Sequence, residues 1–183
     1  MLQKVINYFC LLYFIQMEHN RLYNALHLRQ LAKNVSVDSK KLISKLKAKK
    51  PRNLDALFYE KHTEAFTKID CLSCANCCKS LGPRITDKDI EKLSKHLRLK
   101  PVDFIASYLK IDEDNDYVFK QMPCAFLAPD NYCMVYEHRP KACRQYPHTD
   151  SPKMIKHLNL ALKNAETCPA VYLILEDLKR VVF

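Results

Sequence analysis

One glycine, Gly82, and no tryptophan occur in a chain of 183 residues. At an average usage of about 7% a chain this long would carry roughly a dozen glycines. Tight glycine turns and β-hairpins are therefore scarce, and a mainly helical build is favoured. Nine prolines are left to punctuate it. The same shortage excludes a glycine-rich Rossmann fingerprint. A membrane-spanning run is also missing: the apolar stretch Tyr8–Ile15 falls well short of the roughly 20 residues a bilayer helix needs. No small-residue cleavage site follows it, so it does not read as a signal peptide. It reads as a buried or fraying helix, or as residues ahead of a true start at Met17, with Cys10 a buried apolar side chain.

What the chain does have is cysteine, in an arrangement that argues against disulfides. Nine cysteines in 183 residues lie below the roughly 8–10% of a small disulfide scaffold. Cys77 and Cys78 are adjacent and cannot readily bridge to each other. Four thiols within eight positions crowd into one small volume, where a cation neutralises thiolates but bridges would be strained. A reducing, cytoplasmic compartment fits best.

The formal net charge is +10, and its placement matters. Between Arg29 and Lys61 there are ten basic residues against three acids, so most of the excess lies outside the cysteine region. That stretch has few aromatics and reads more simply as a solvated helix face than as a nucleic-acid surface. The length suits one ordinary domain plus one appended segment. The division expected is a basic, partly helical appendage over 1–52 and a cysteine-cluster metal-binding domain over 53–183.

Helical spacing recurs along the chain. Leu22, Leu26, Leu42 and Leu46 are loosely periodic before Pro51 ends the pattern, and Leu54, Leu57, Phe58, Ala65 and Ile69 share one face of a helix that runs into Cys71. Thr86 reads as an N-cap ahead of Ile90, Leu93 and Leu97, and Pro101 as the first residue of another helix carrying Phe104, Ile105, Tyr108 and Leu109 inward. The last helix spans about Pro169 to Val182. An acidic loop, Asp112–Asp116, precedes Tyr117–Phe119, which with Tyr132–Tyr136 would make a short two-stranded β element. The fold class expected is mainly α: a small, irregular, cysteine-rich metal-binding domain with at most that β element.

The central motif is Cys71-Leu-Ser-Cys74-Ala-Asn-Cys77-Cys78. Thiols at every third residue of a non-regular loop converge on one point, which is how polycysteine sites wrap a metal. Cys124, Cys133, Cys143 and Cys168 then come singly. Zinc ribbons contribute paired knuckles from two places. Iron-sulfur sites commonly take three thiolates from one run and a fourth from afar, often before a proline, as at Cys168-Pro169. The cofactor expected is an iron-sulfur cluster or zinc, and eight thiols also suffice for two four-cysteine sites whose pairing spacing does not give. His148 or His138 is a weaker candidate ligand.

Around Cys143, Pro140 begins and Pro147 stops a single helical turn. Arg139 and Arg144 flank it and would offset the negative charge of a thiolate-bound metal, or else pair with Glu137. Tyr136 and Tyr146 are expected to pack there with hydrogen-bonded hydroxyls.

With the run Cys71–Cys78, Pro123-Cys124-Ala-Phe-Leu127, Cys133–Tyr136, Arg139–Pro147 and Cys168-Pro169, the chain resembles the YkgJ-type cysteine-cluster family over about residues 69–170. The resemblance implies zinc or iron chelation, and similar domains occur in flagellin lysine N-methylases and in proteins labelled iron-sulfur oxidoreductases. One departure is Ala75, where many members have glycine; the turn there is expected to avoid positive φ. Residues 1–60 add no methyl-donor site. The reading favoured is a metal-binding protein whose centre is structural or redox. The alternatives are an iron-sulfur oxidoreductase or metal-dependent modifying enzyme, and a nucleic-acid-binding zinc module.

Overall fold

Helix starts in this chain are set by short polar caps. In the computed structural model, which describes residues 22–182, the Asn24 side chain accepts from the His27 N–H at 3.0 Å and opens α1, Ala25–Asn34. The expectations for Tyr8–Ile15, Cys10 and Met17 lie outside the described residues. Helix α2, Ser36–Lys49, follows at once and stops at Lys50, whose left-handed backbone turns the chain into Pro51. Leu54–Lys68 is α3. Its buried face is Leu54, Phe58 and Ala65, with Ile69 just beyond, as the spacing predicts.

The cysteine motif folds as two single turns, α4 (Cys71–Cys74) and α5 (Asn76–Ser80). Thr86 then makes a full capping box: its hydroxyl accepts from the Asp89 N–H, and the Asp89 carboxylate accepts from the Thr86 N–H at 3.1 Å. That box starts α6, Asp87–His96. Pro101 opens α7, Pro101–Tyr108, which runs directly into β1, Leu109–Ile111. Strand β2 is Tyr117–Phe119. Two single-turn 3-10 helices, Tyr136–His138 and Met154–Lys156, bracket α8, Lys141–Gln145. The chain ends through α9, Leu158–Asn164, and α10, Pro169–Val182.

The β element differs from expectation in its partner. Tyr117–Phe119 pairs antiparallel with Leu109–Ile111, in register Leu109↔Phe119, across the acidic loop. Tyr132–Tyr136 is not a strand; it makes only the isolated bridge Leu127↔Cys133 before its 3-10 turn. A local hairpin closes a shorter loop than the long-range pairing would, and loop closure favours it.

Two apolar clusters organise these elements. The first takes Leu42, Ile43 and Leu46 of α2, Leu54 and Phe58 of α3, Met154, Leu158 and Ala161, and Val171, Ile174, Leu175 and Leu178 of α10. Helix α2 is therefore part of this core, its basic residues facing outward, and its leucines pack against the same α10 as α3 does. The second cluster is smaller: Ile85, Ile90, Leu93, Phe104, Leu109, Phe119, Phe126 and Val135. The cysteines lie between the two. Cys168 packs against the first, and Cys124 and Cys133 against the second. Among the described residues no helix is long and apolar enough to cross a membrane.

Candidate metal centre

Asp70 caps α4 by accepting from the Leu72 N–H at 3.0 Å. The chain must then reverse between Cys74 and Cys77, and it does so at Ala75, whose φ of 52° is left-handed. This corrects the expectation that alanine keeps the turn at negative φ. Ala75 is buried and its N–H bonds to the Cys71 carbonyl at 3.0 Å. The closed turn holds it in a conformation that costs an L-residue about 1–2 kcal/mol.

Hydrogen bonds to the backbone bring the single cysteines to this motif. The Cys124 N–H donates to the Cys78 carbonyl at 2.9 Å, and the Asn131 amide donates to the Ser73 carbonyl at 2.9 Å. Asp89 does a second task besides its capping box. Buried at 4% exposure, its other oxygen accepts the Lys141 N–H at 2.8 Å. That fastens the first residue of α8, and with it Cys143, to α6. Nothing local in the sequence signals for Asp89 a partner so far along the chain. Asn164 similarly ties the Cys168 end to the Cys143 turn, its amide donating to the Pro147 carbonyl at 3.2 Å.

The result is a cavity of about 340 Å³ lined by Cys71, Cys77, Cys78, Cys124, Cys133 and Cys143, with Arg139 and Tyr146 among its other walls. Cys74 and Cys168 do not line it. The structure records no disulfide at any of these eight cysteines. Among the described residues no three His, Cys, Asp or Glu side chains stand together as a set that would hold one ion. The sulfurs thus share a cavity without closing around a point.

Their protonation is uneven. Cys77 hydrogen-bonds to both Cys71 and Cys78, and its Sγ lies 3.9 Å from that of Cys78. Cys77 keeps its proton, while that sharing pulls Cys71 and Cys78 down to about 7, with Arg139 helping both. Burial drives the others up: Cys74 and Cys124 to about 11, Cys143 and Cys168 to about 12, and Cys133 in the same direction. Against that burial, Cys74, Cys124, Cys133 and Cys168 each accept a backbone N–H from the residue two further on, respectively Asn76, Phe126, Val135 and Ala170. Such donors favour a sulfur that has lost its proton. Cys168 sits just before α10 and also accepts from Val171, where the helix dipole adds to the effect.

Arg139 and Arg144 part company. Arg139 lies over the Tyr136 ring, 3.5 Å from its centroid, donates from Nε to the Tyr136 carbonyl at 2.8 Å and lines the cavity. Arg144 is exposed and donates to the Arg139 carbonyl. Tyr146 does not have the hydrogen bond expected of it. Its hydroxyl is buried with no partner among the described residues, and burial beside Cys168, Cys77, Cys74 and Cys71 raises its pKa far above the usual value. His148 lines the cavity and stacks on His157, whereas His138 lies outside it, stacked 4.0 Å from His96.

A donor set dominated by six thiols, with His148 also at the wall, one guanidinium facing it and one orphaned hydroxyl beside it, fits a thiolate-bound metal. Comparison with known families matches residues 70–169 to one described as "CxxCxxCC: Putative zinc- or iron-chelating domain". No curated protein and no solved structure matches the chain.

Proposed function

The chain belongs to the CxxCxxCC family of zinc- or iron-chelating domains, and from that premise we propose that its eight clustered cysteines bind zinc or an iron-sulfur cluster as thiolates, in a structural or redox role. The observation that carries this is the cavity itself, which six thiols from four separate segments line beside a single guanidinium. Buried anions that close repel unless a cation sits among them.

Cys71 and Cys78, already drawn down to about 7, would be the first thiolates available to a metal. Arg139 offsets part of the charge left on a four-thiolate site. Backbone N–H groups at Cys74, Cys124, Cys133 and Cys168 hold those sulfurs as acceptors. Bound zinc would supply a redox-inert crosslink, and an iron-sulfur cluster a one-electron centre. A volume of about 340 Å³ is roomier than one ion needs when its sulfur ligands stand about 2.3 Å away, which favours a cluster or more than one ion.

A metal-dependent enzyme is the second reading. It is favoured by the continuation of the cavity over Leu81, Phe119, Phe126 and Leu160, with Lys163 at its wall, which leaves room for a small molecule next to a metal. Purification without oxygen separates the cofactors. Brown protein with iron and acid-labile sulfide identifies a cluster, and colourless protein with zinc identifies a zinc site. Protein that holds neither metal refutes the reading.

A further inference from the structure

We infer that the helical half carries a binding site for the phosphate group of a small organic phosphate ester, in a cavity at the start of α2. The site lies apart from the cysteines, goes beyond the metal-binding reading and does not rest on it.

The cavity, about 340 Å³, is walled by α1 and α2 on one side and by α9 and α10 on the other. It opens at a helix end that the sequence leaves uncapped. Val35 stands at the N-cap of α2 and supplies no side-chain acceptor, where Ser, Thr, Asp or Asn would satisfy one of the orphan N–H groups. The Ser39 N–H bonds to the Val35 carbonyl at 3.0 Å. Those of Ser36, Val37 and Asp38 are left without an acceptor among the described residues.

Water could serve those amides, so a helix start alone marks nothing. Ser39 is the second observation. It is only 4% exposed, lines the cavity and makes no side-chain hydrogen bond among the described residues. A hydroxyl buried without a partner costs about 1–3 kcal/mol. Its oxygen is not one of the polar atoms sealed within the packing, as that of Tyr146 is, so the little surface it keeps opens on the cavity. An oxyanion seated there would accept from it.

The charge at the walls has the matching sign. Lys33 of α1, Lys40 of α2 and Lys163 of α9 line the cavity, with the Ser36 hydroxyl and the Asn159 amide beside them. Two acids stand there as well, Glu166 and Glu176, but Glu176 is paired with Lys179 at 2.6 Å. The lysines are therefore in excess. The end of α1 brings carbonyls of the opposite sign, and Lys33 in its last turn sets against them.

Donors from three helices exceed what the two oxygens of a carboxylate can use. A phosphate monoester presents three acceptor oxygens and nearly two charges, and a helix start favours that group. The remaining wall is apolar, with Ala32, Leu162, Ala165 and Leu175. A cavity larger than the phosphate and lined in this way suits an ester with an organic body.

The test titrates the whole chain, in buffer free of phosphate, with inorganic phosphate, phenyl phosphate and benzoate. Calorimetry reads the affinity and backbone amide NMR shifts read the place. Both phosphates should shift Ser36, Val37 and Asp38, phenyl phosphate should bind more tightly than inorganic phosphate, and benzoate should bind more weakly than either. Ser39→Ala removes one hydrogen bond to a charged group and should weaken phenyl phosphate roughly tenfold, while leaving the ligand-free chain no less stable. Lys33→Gln/Lys40→Gln should weaken it as well. Lys49→Gln/Lys50→Gln removes the same charge about 20 Å away at the other end of α2 and should leave the affinity unchanged. Absence of shifts at the start of α2, unchanged affinity in Ser39→Ala, or equal loss in the two lysine pairs overturns the site. Benzoate bound as tightly as phenyl phosphate overturns the choice of phosphate, and inorganic phosphate bound as tightly overturns the organic body.

Discussion

Among the described residues, the helical half of the molecule buries sixteen residues in one cluster around α2, α3, α9 and α10, whereas the half that carries most of the cysteines buries eight around α6, α7 and the short sheet. The first is built from long amphipathic helices that cover one another. The second joins two helices of ten and eight residues to single turns, a hairpin of three-residue strands and loops, elements too short to be stable on their own. Its sulfurs occupy the position a larger core would take. A small region with half the apolar core needs another source of cohesion, and a bound metal is the one its side chains suit.

Removing the metal tests that contrast with the largest effect. Structural zinc contributes an apparent free energy on the order of 10–16 kcal/mol in small domains. Chelation under reducing conditions should therefore abolish amide protection over residues 71–80 and 124–146 while α2, α3 and α10 keep theirs. Hydrogen exchange read by mass spectrometry checks this, and equal loss in both halves would break the comparison.

Acidity should act on the cysteine half next most strongly. Cys74, Cys124, Cys143 and Cys168 lie at about 11 to 12 and keep their protons at neutral pH, so a metal must displace them. Affinity should rise about tenfold per pH unit for each proton released, measurable by zinc competition between pH 6 and pH 8, values chosen on the order of physiological pH. In the metal-free chain these thiols bind protons more tightly folded than unfolded. Their stabilisation holds below the ordinary thiol value of about 8.5 and is lost as pH climbs towards 12. Cys71 and Cys78, lowered to about 7, run the other way. They stabilise above the ordinary value and lose that contribution as pH falls through about 7.

In the helical half, Phe58→Ala should cost about 3–5 kcal/mol, since Phe58 is fully buried. Denaturant titration should give the same loss with and without metal. Tyr146→Phe divides the two states instead. Without metal it removes a buried hydroxyl that has no partner and should stabilise by about 1–3 kcal/mol. With metal it removes a donor to sulfur and should destabilise by about 1 kcal/mol. Thermal melts of both forms read the sign. The smallest change is Ala75→Gly, which relieves the left-handed φ of 52° and should raise stability by about 1 kcal/mol.

The helical half was the more legible in sequence, because its signals are local. The faces of α3 and α10 follow from residues three or four apart, and the equally local Thr86 cap and Pro101 mark the two helices of the other half. Even so, Leu26 of the loose leucine pattern is exposed while Leu28 is buried, since the face α1 presents is chosen by its packing partner. The cysteine half was legible in composition and family. Its geometry was not. Partners such as Asp89 and Lys141 are joined by bonds that no periodicity announces. Nor does sequence reveal that Ala75 can be held at positive φ by the turn closing around it.

X-ray absorption at the edge of whichever metal the chain retains most directly tests whether these cysteines are the ligands. The account predicts a first shell made of sulfur alone, about four per metal at about 2.3 Å, which loses intensity in Cys78→Ser. A first shell of nitrogen and oxygen, unchanged by that substitution, would contradict it.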